Sequence, residues 1–146
     1  MSHVRRQIRE AAATALAGLA TTGSRVFQSR VYPLRDADLP CLLISTDDEQ
    51  VDQNNAVSGG EMTRELTLTV RGVAKATADL DDTLDGIAEQ VEPVLNVSTL
   101  GGNVKTCRLT GIKVEMDDVL EKPVGIITLE YRTLYFTTPA APGTAL

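Results

Sequence analysis

The sequence predicts an α+β domain: a mainly antiparallel sheet of four to five strands with two helices packed on one face. Three observations carry this reading. Apolar residues recur at three and four spacing near the N-terminus and again over residues 79–96. Residues 61–73 alternate between apolar and polar, as a half-buried strand does. The segments follow one another as α, β, β, β, α, β, β with no repeat, linker or heptad between them. Two helices of this length suffice to cover one face of such a sheet.

In the first helix, Val4, Ile8, Ala11, Ala12, Ala15, Leu16 and Leu19 make one apolar stripe, and Thr21, Thr22 and Gly23 stop it. A short β-leaning segment follows from Ser24 to Tyr32, closed by Pro33, with 34–39 as a polar link. Pro40 opens the continuous apolar run Cys41-Leu42-Leu43-Ile44, the pattern of a central strand. Residues 47–60 are polar and read as a long loop. In the strand over 61–73, Met62, Leu66, Leu68 and Val70 take one face and Thr63, Glu65, Thr67, Thr69 and Arg71 the other. Arg64 falls on the apolar phase near the strand start, where its head is expected to reach water.

The second helix, Asp79 to Asn96, buries Leu80, Leu84, Ile87, Val91, Val94 and Leu95. Thr77 or Asp79 is its expected N-cap, and Asp79, Asp81 and Asp82 complement the dipole of its first turn. Pro93 is expected to kink or finish it. Gly101-Gly102 is a turn. Over 104–116 the apolar phase switches: Cys107 and Leu109 are odd, whereas Ile112, Val114 and Met116 are even. A β-bulge at Gly111 would keep all five on one face. The last strand is Val124 to Thr137, with Ile127, Leu129, Tyr131 and Tyr135 facing one way.

At 146 residues the chain fits one domain, taken as 1–137, with a Pro/Ala/Gly-rich tail at 138–146 expected to fray. Fourteen basic and twenty acidic residues give 14 − 20 = −6, which argues against a protein that grips nucleic acid by neutralising phosphates. His3 is the sole histidine, so a Ser-His-Asp or Cys-His site would have to use it. Cys41 and Cys107, 66 apart in apolar runs, form no metal-ligand spacing and read as two small buried hydrophobes. No stretch approaches the roughly 18 apolar residues that span a bilayer, and a soluble, cytoplasmic product without a membrane partner is expected.

Asp47, Asp48, Glu49 and Asp52 form the densest acidic cluster, of a chemistry that could hold Mg²⁺ or Ca²⁺. The EF-hand pattern is missing, so a solvated strand-to-loop junction is expected, with no metal and no cofactor. Arg5, Arg6 and Arg9 occupy the first turns of helix one, where the dipole disfavours cations. Compensation could come from the acidic helix two, in the same or a neighbouring subunit, or from a nucleic-acid backbone, or the residues could simply be solvated. Asp81, Asp82, Asp85, Glu89 and Glu92 read as a solvent face, and no phosphate-loop, dinucleotide, zinc-protease or nucleophile-elbow motif is present.

Four blocks resemble a known family. They are Val4-Arg5-Arg6-Gln7-Ile8-Arg9 through Leu19; Arg30-Val31-Tyr32-Pro33-Leu34 with Leu39-Pro40-Cys41-Leu42-Leu43-Ile44 and Thr46-Asp47-Asp48-Glu49; Glu65 to Val70 with Leu80 to Glu92; and Leu129 to Tyr135. Together, over residues 3–137, the chain resembles the tail terminator (minor tail protein U-like) proteins of long, non-contractile-tailed bacteriophages. The resemblance implies a non-enzymatic assembly protein with a small mixed sheet and helices on one side. It implies a hexameric homo-oligomer ring that caps the tail tube protein, stops its polymerisation and offers a surface to a head completion or connector protein. DNA would pass through the lumen without specific binding. The place would be the head-proximal end of the tail in the virion, after assembly in the host bacterial cytoplasm.

On this reading, Arg5, Arg6 and Arg9 are expected to meet Asp81, Asp82 and Asp85 of a neighbour. The loop carrying Asp47, Asp48, Glu49, Asp52, Gln53, Asn54 and Asn55 is expected to line the lumen or touch the tube. Two rivals stand beside it: another head–tail joining or tail completion protein, and a small metal-dependent enzyme using Asp47, Asp48, Glu49 and Glu65.

Overall fold

A computed structural model describes residues 2–28, 36–53, 60–117 and 123–146. Helix α1 spans Val4–Leu16, strand β1 Val26–Gln28, β2 Cys41–Gln53, β3 Met62–Lys75, helix α2 Leu80–Leu95, β4 Thr106–Asp117 and β5 Val124–Thr137. The expected order of elements is the order found, and the class is α+β. The five strands form one sheet in the order β1-β2-β3-β5-β4. It is mixed, because β1 runs parallel to β2 while the other pairs are antiparallel.

Both helices lie on one face. Val4, Ile8, Ala12 and Leu16 of α1 and Leu80, Leu84, Ile87, Val91 and Leu95 of α2 are buried against Leu66, Leu68, Val70, Ile127, Leu129 and Tyr131. α2 comes down so close that two glycines make room for it. A Cβ on Gly72 would stand 2.7 Å from the Ile87 side chain, and one on Gly125 2.7 Å from Leu80. The other face is open and polar over most of its area. A small cluster of Cys41, Val73 and Val124, flanked by Phe27, Leu39, Leu43 and Ile126, closes one end of it. Cys41 and Cys107 are buried thiols.

Several local expectations change. α1 stops at Leu16, three residues early, because Gly18 turns to φ +89°, a conformation costly to other residues. Leu19 still packs against the core. Pro93 sits inside α2, which ends two residues later, and Asp79 is the N-cap residue but makes no side-chain cap bond. The segment expected to loop from Asp47 is strand as far as Gln53, held by pairing with β3 from Thr67 back to Met62. Asn54 and Asn55 lie outside the described residues. Residues 138–146, expected to fray, return across the start of α1. Val4 N–H donates to Pro142 O (3.0 Å), Gln7 Nε2 to Gly143 O (2.8 Å), and Leu146 N–H to Phe136 O (2.9 Å).

Two bulges set which side chains reach which face. On β2 the register slips between Thr46 and Asp48, so Asp47 is the extra residue. On β4 it slips between Leu109 and Gly111, at the expected place, with Thr110 extra. Cys107, Leu109, Ile112, Val114 and Met116 therefore stand opposite Thr133, Tyr131, Leu129, Ile127 and Gly125, all on the helix-bearing face. The helices cover only the first two. Ile112, Val114 and Met116 are 48%, 52% and 60% exposed.

Candidate functional site

The acidic cluster of β2 is divided by the strand itself. Glu49 opposes Leu66 and so shares the helix-bearing face, whereas Asp48 opposes Thr67 on the open face. Asp47, in the bulge, accepts from Ser45 Oγ (3.0 Å) and faces Arg71 at 3.8 Å. Glu65 lies on the open face, 4.0 Å from Arg132. The four carboxylates do not converge. Among the described residues no group of three or more His, Cys, Asp or Glu side chains could hold a metal ion.

Glu49 is the centre of a buried polar knot. Its Oε2 accepts from Arg5 Nη1 at 2.6 Å and from Arg64 Nη1 at 3.2 Å, and the Tyr135 hydroxyl donates to Oε1. Arg64 also donates from Nε to Thr137 Oγ1 (2.9 Å) and lies over the Tyr135 ring, 5.9 Å from its centre. The head of Arg64 is thus tied to Glu49 instead of reaching water, and the residue is only 7% exposed. Burial, and then the hydrogen bond to Glu49, push the Tyr135 hydroxyl above its ordinary pKa. At the same end, neutral His3 caps α1, with Nδ1 accepting from the Arg5 N–H at 3.1 Å. Burial and the nearby Arg5 lower its pKa.

Two guanidiniums and a phenol occupy three of the roughly four acceptor sites of the Glu49 carboxylate, whose side chain is only 8% exposed, so its bonding is turned inward. The knot fastens the start of α1 to β2, β3 and β5. It also answers where the cations of α1 find compensation. Arg5 turns to Glu49, Arg9 donates to Thr46 Oγ1 (3.1 Å), and Arg6 pairs with Glu10 one turn along. Among the described residues these partners lie on β2 and on α1 itself. The sequence signal for the knot was Arg64 on an apolar strand phase.

The acidity of the chain is strongly localised. Asp79, Asp81, Asp82, Asp85, Glu89 and Glu92 are six carboxylates on α2 and its cap, which carry no Lys or Arg. Removing them leaves 20 − 6 = 14 acidic against 14 basic residues, so the rest of the chain sums to zero. Asp81, Asp82 and Asp85 are exposed.

A family model for phage minor tail protein U matches residues 3–135. Among solved structures, the chain is similar to one from the "Virion of native gene transfer agent (GTA) particle". The identity is 21%, the TM-score 0.43, and 90% of each chain is covered. No curated protein matches. With the family model matching nearly its whole length, the chain belongs to the phage minor tail protein U family.

Proposed function

We propose that this phage tail protein is the tail terminator: a ring, built of six copies, that caps the tail tube, ends its polymerisation and presents the surface to which the head attaches. The observation that carries the reading is the family match over residues 3–135, nearly the whole chain. The described side chains support an assembly role without catalysis, since the carboxylates nearest to a site are either bound internally or scattered over two faces. The ring sits at the head-proximal end of the tail in the virion. Its partners are further copies of itself, the tube protein and a head completion protein, and DNA passes through its lumen.

A ring joins unlike patches of successive subunits. Asp81, Asp82 and Asp85 of α2 supply one patch and the basic start of α1 the other. In that basic patch Arg6 is the outward cation, with its side chain 63% exposed, while Arg5 and Arg9 contribute charge from partly covered positions. The outer half of β2, with Asp47, Asp48, Asp52 and Gln53, faces lumen or tube. Glu49 is taken up by the knot. The test is mass measurement with negative-stain imaging of the purified chain, alone and with tail tubes. A six-fold ring at one tube end is expected. A chain bound to tubes along their length, or only as single copies, refutes the reading.

A further inference from the structure

The two lateral edges of the sheet differ, and their differences match. α1 touches β1 and β2, whereas α2 lies over β3, β5 and β4, so each helix belongs to one edge. On α1, Gln7 reaches the C-terminal tail at Gly143, while Arg5 and Arg9 turn the other way, over β2. Residues 2–28, which make the α1–β1 edge, hold Arg5, Arg6, Arg9 and Arg25 against Glu10, a formal charge of 4 − 1 = +3 with His3 neutral. On α2, Gln90 is fixed to Thr21 near the end of α1, donating to its hydroxyl at 2.7 Å. Asp81, Asp85 and Glu92 project from the opposite flank, because their spacing of four and seven residues places them about half a turn from Gln90. That flank overlooks β4.

β4 adds an apolar component to this acidic edge. Among the described residues it pairs only with β5, so its outer backbone groups have no strand beside them over 112–117. The bulge at Thr110 has turned Ile112, Val114 and Met116 to the helix side, past the reach of α2, where they form a row of three half-exposed apolar side chains. An apolar row rimmed by charge on an open sheet edge is the anatomy of an interface core with its polar rim.

We infer that the β4–α2 edge of one copy seats against the α1–β1 edge of the next, with Ile112, Val114 and Met116 as the apolar centre of the contact and Asp81 and Asp85 facing Arg6 and Arg9 across it. The occupant is a second copy because the chain itself carries the complement, an edge of +3 opposite an edge of −6, on opposite sides of one sheet. Such a contact is head-to-tail and leaves one edge of every added subunit open for the next. The inference rests on the ring proposed above and assigns its joint.

The test uses two full-length variants with unchanged far-UV circular dichroism. Val114→Glu disables the β4 side and Arg6→Glu/Arg9→Glu the α1 side, and masses are read by analytical ultracentrifugation with and without tail tubes. Each variant alone is expected to lose ring formation, weakening association by about tenfold or more. An equal mixture is expected to form dimers and no larger species, because one intact joint remains. Asp81→Arg/Asp85→Arg serves as a second β4-side variant should Val114→Glu fold poorly: alone it should lose rings, and mixed with Arg6→Glu/Arg9→Glu, whose reversed charges it complements, it should recover species larger than dimers, with failure to do so counting against the inference. A Val114→Glu protein that still forms rings overturns the inference and leaves the ring standing. Loss of rings without dimers in the Val114→Glu mixture overturns the head-to-tail joint. A wild-type chain that forms no ring even on tubes overturns both.

Discussion

The knot around Glu49 gives the sharpest stability prediction. Replacing Glu49 by Ala removes the acceptor of two guanidiniums and a tyrosine hydroxyl. The loss at Arg5 is small, because its side chain is 40% exposed and water replaces the carboxylate. The loss at Arg64 is large: its side chain is 9% exposed and would keep a buried, uncompensated charge. Breaking a buried pair in this way costs about 3–5 kcal/mol. At roughly 2–4 °C per kcal/mol for a domain of this size, the melting temperature should fall by about 6–20 °C. Urea unfolding followed by circular dichroism measures the first figure and calorimetry the second. The companion variant, Glu49→Ala/Arg64→Met, removes the orphaned charge as well. It should be more stable than the sum of the two single losses predicts, by about 1–3 kcal/mol. A Glu49→Ala loss below about 1 kcal/mol, or strict additivity of the two singles, would refute the reasoning.

Among the described residues the buried Tyr131 hydroxyl has no hydrogen-bond partner, so Tyr131→Phe should be neutral or stabilise by up to about 2 kcal/mol; a loss above about 1 kcal/mol in urea unfolding contradicts this. Gly72→Ala should destabilise by about 1–3 kcal/mol, because the new methyl meets Ile87 and Ile127, and an unchanged unfolding midpoint would mean that α2 shifts freely. His3 titrates below its ordinary 6.5, so the unfolded chain binds that proton more tightly. Its capping contribution, about 1 kcal/mol, is complete above about 6.5 and lost as pH falls through the folded value. His3→Asn should keep a cap and remove this pH dependence, and an unaltered stability–pH slope would show that His3 is not its source. Burial pushes the Cys107 thiol up to about 11, so iodoacetamide at pH 8 should modify it slowly in the native protein and rapidly in urea.

Much of the fold was legible because its signals are local. The stripes of α1 and α2 appear as spacing, β5 was bounded at the residues found, and the bulge of β4 announced itself as an apolar phase switch around Gly111. The outer half of β2 was not legible. Asp48 to Gln53 contain no apolar alternation, and they are extended because the long β3 offers them a ladder, a tertiary effect that propensity does not carry. The parallel pairing of β1 was equally silent in its three residues. Of the proposed contact residues, the charges could be named from spacing alone. The value of Ile112, Val114 and Met116 could not, because their pattern reads as a core strand, and only the placement of α2 shows them to be uncovered.

The localisation of six carboxylates on α2 has a practical consequence for any experiment on this chain. An isoelectric point near 4.7 describes a molecule whose entire surplus sits on one helix. Neutralising that helix to test assembly would bring the whole protein to zero net charge, where colloidal repulsion vanishes and precipitation can imitate the loss of a specific contact. Changes to α2 therefore call for charge replaced at a distant exposed position. Covering α2 would bury a large share of the exposed carboxylates, so later or earlier elution on an anion exchanger would accompany its exposure or burial.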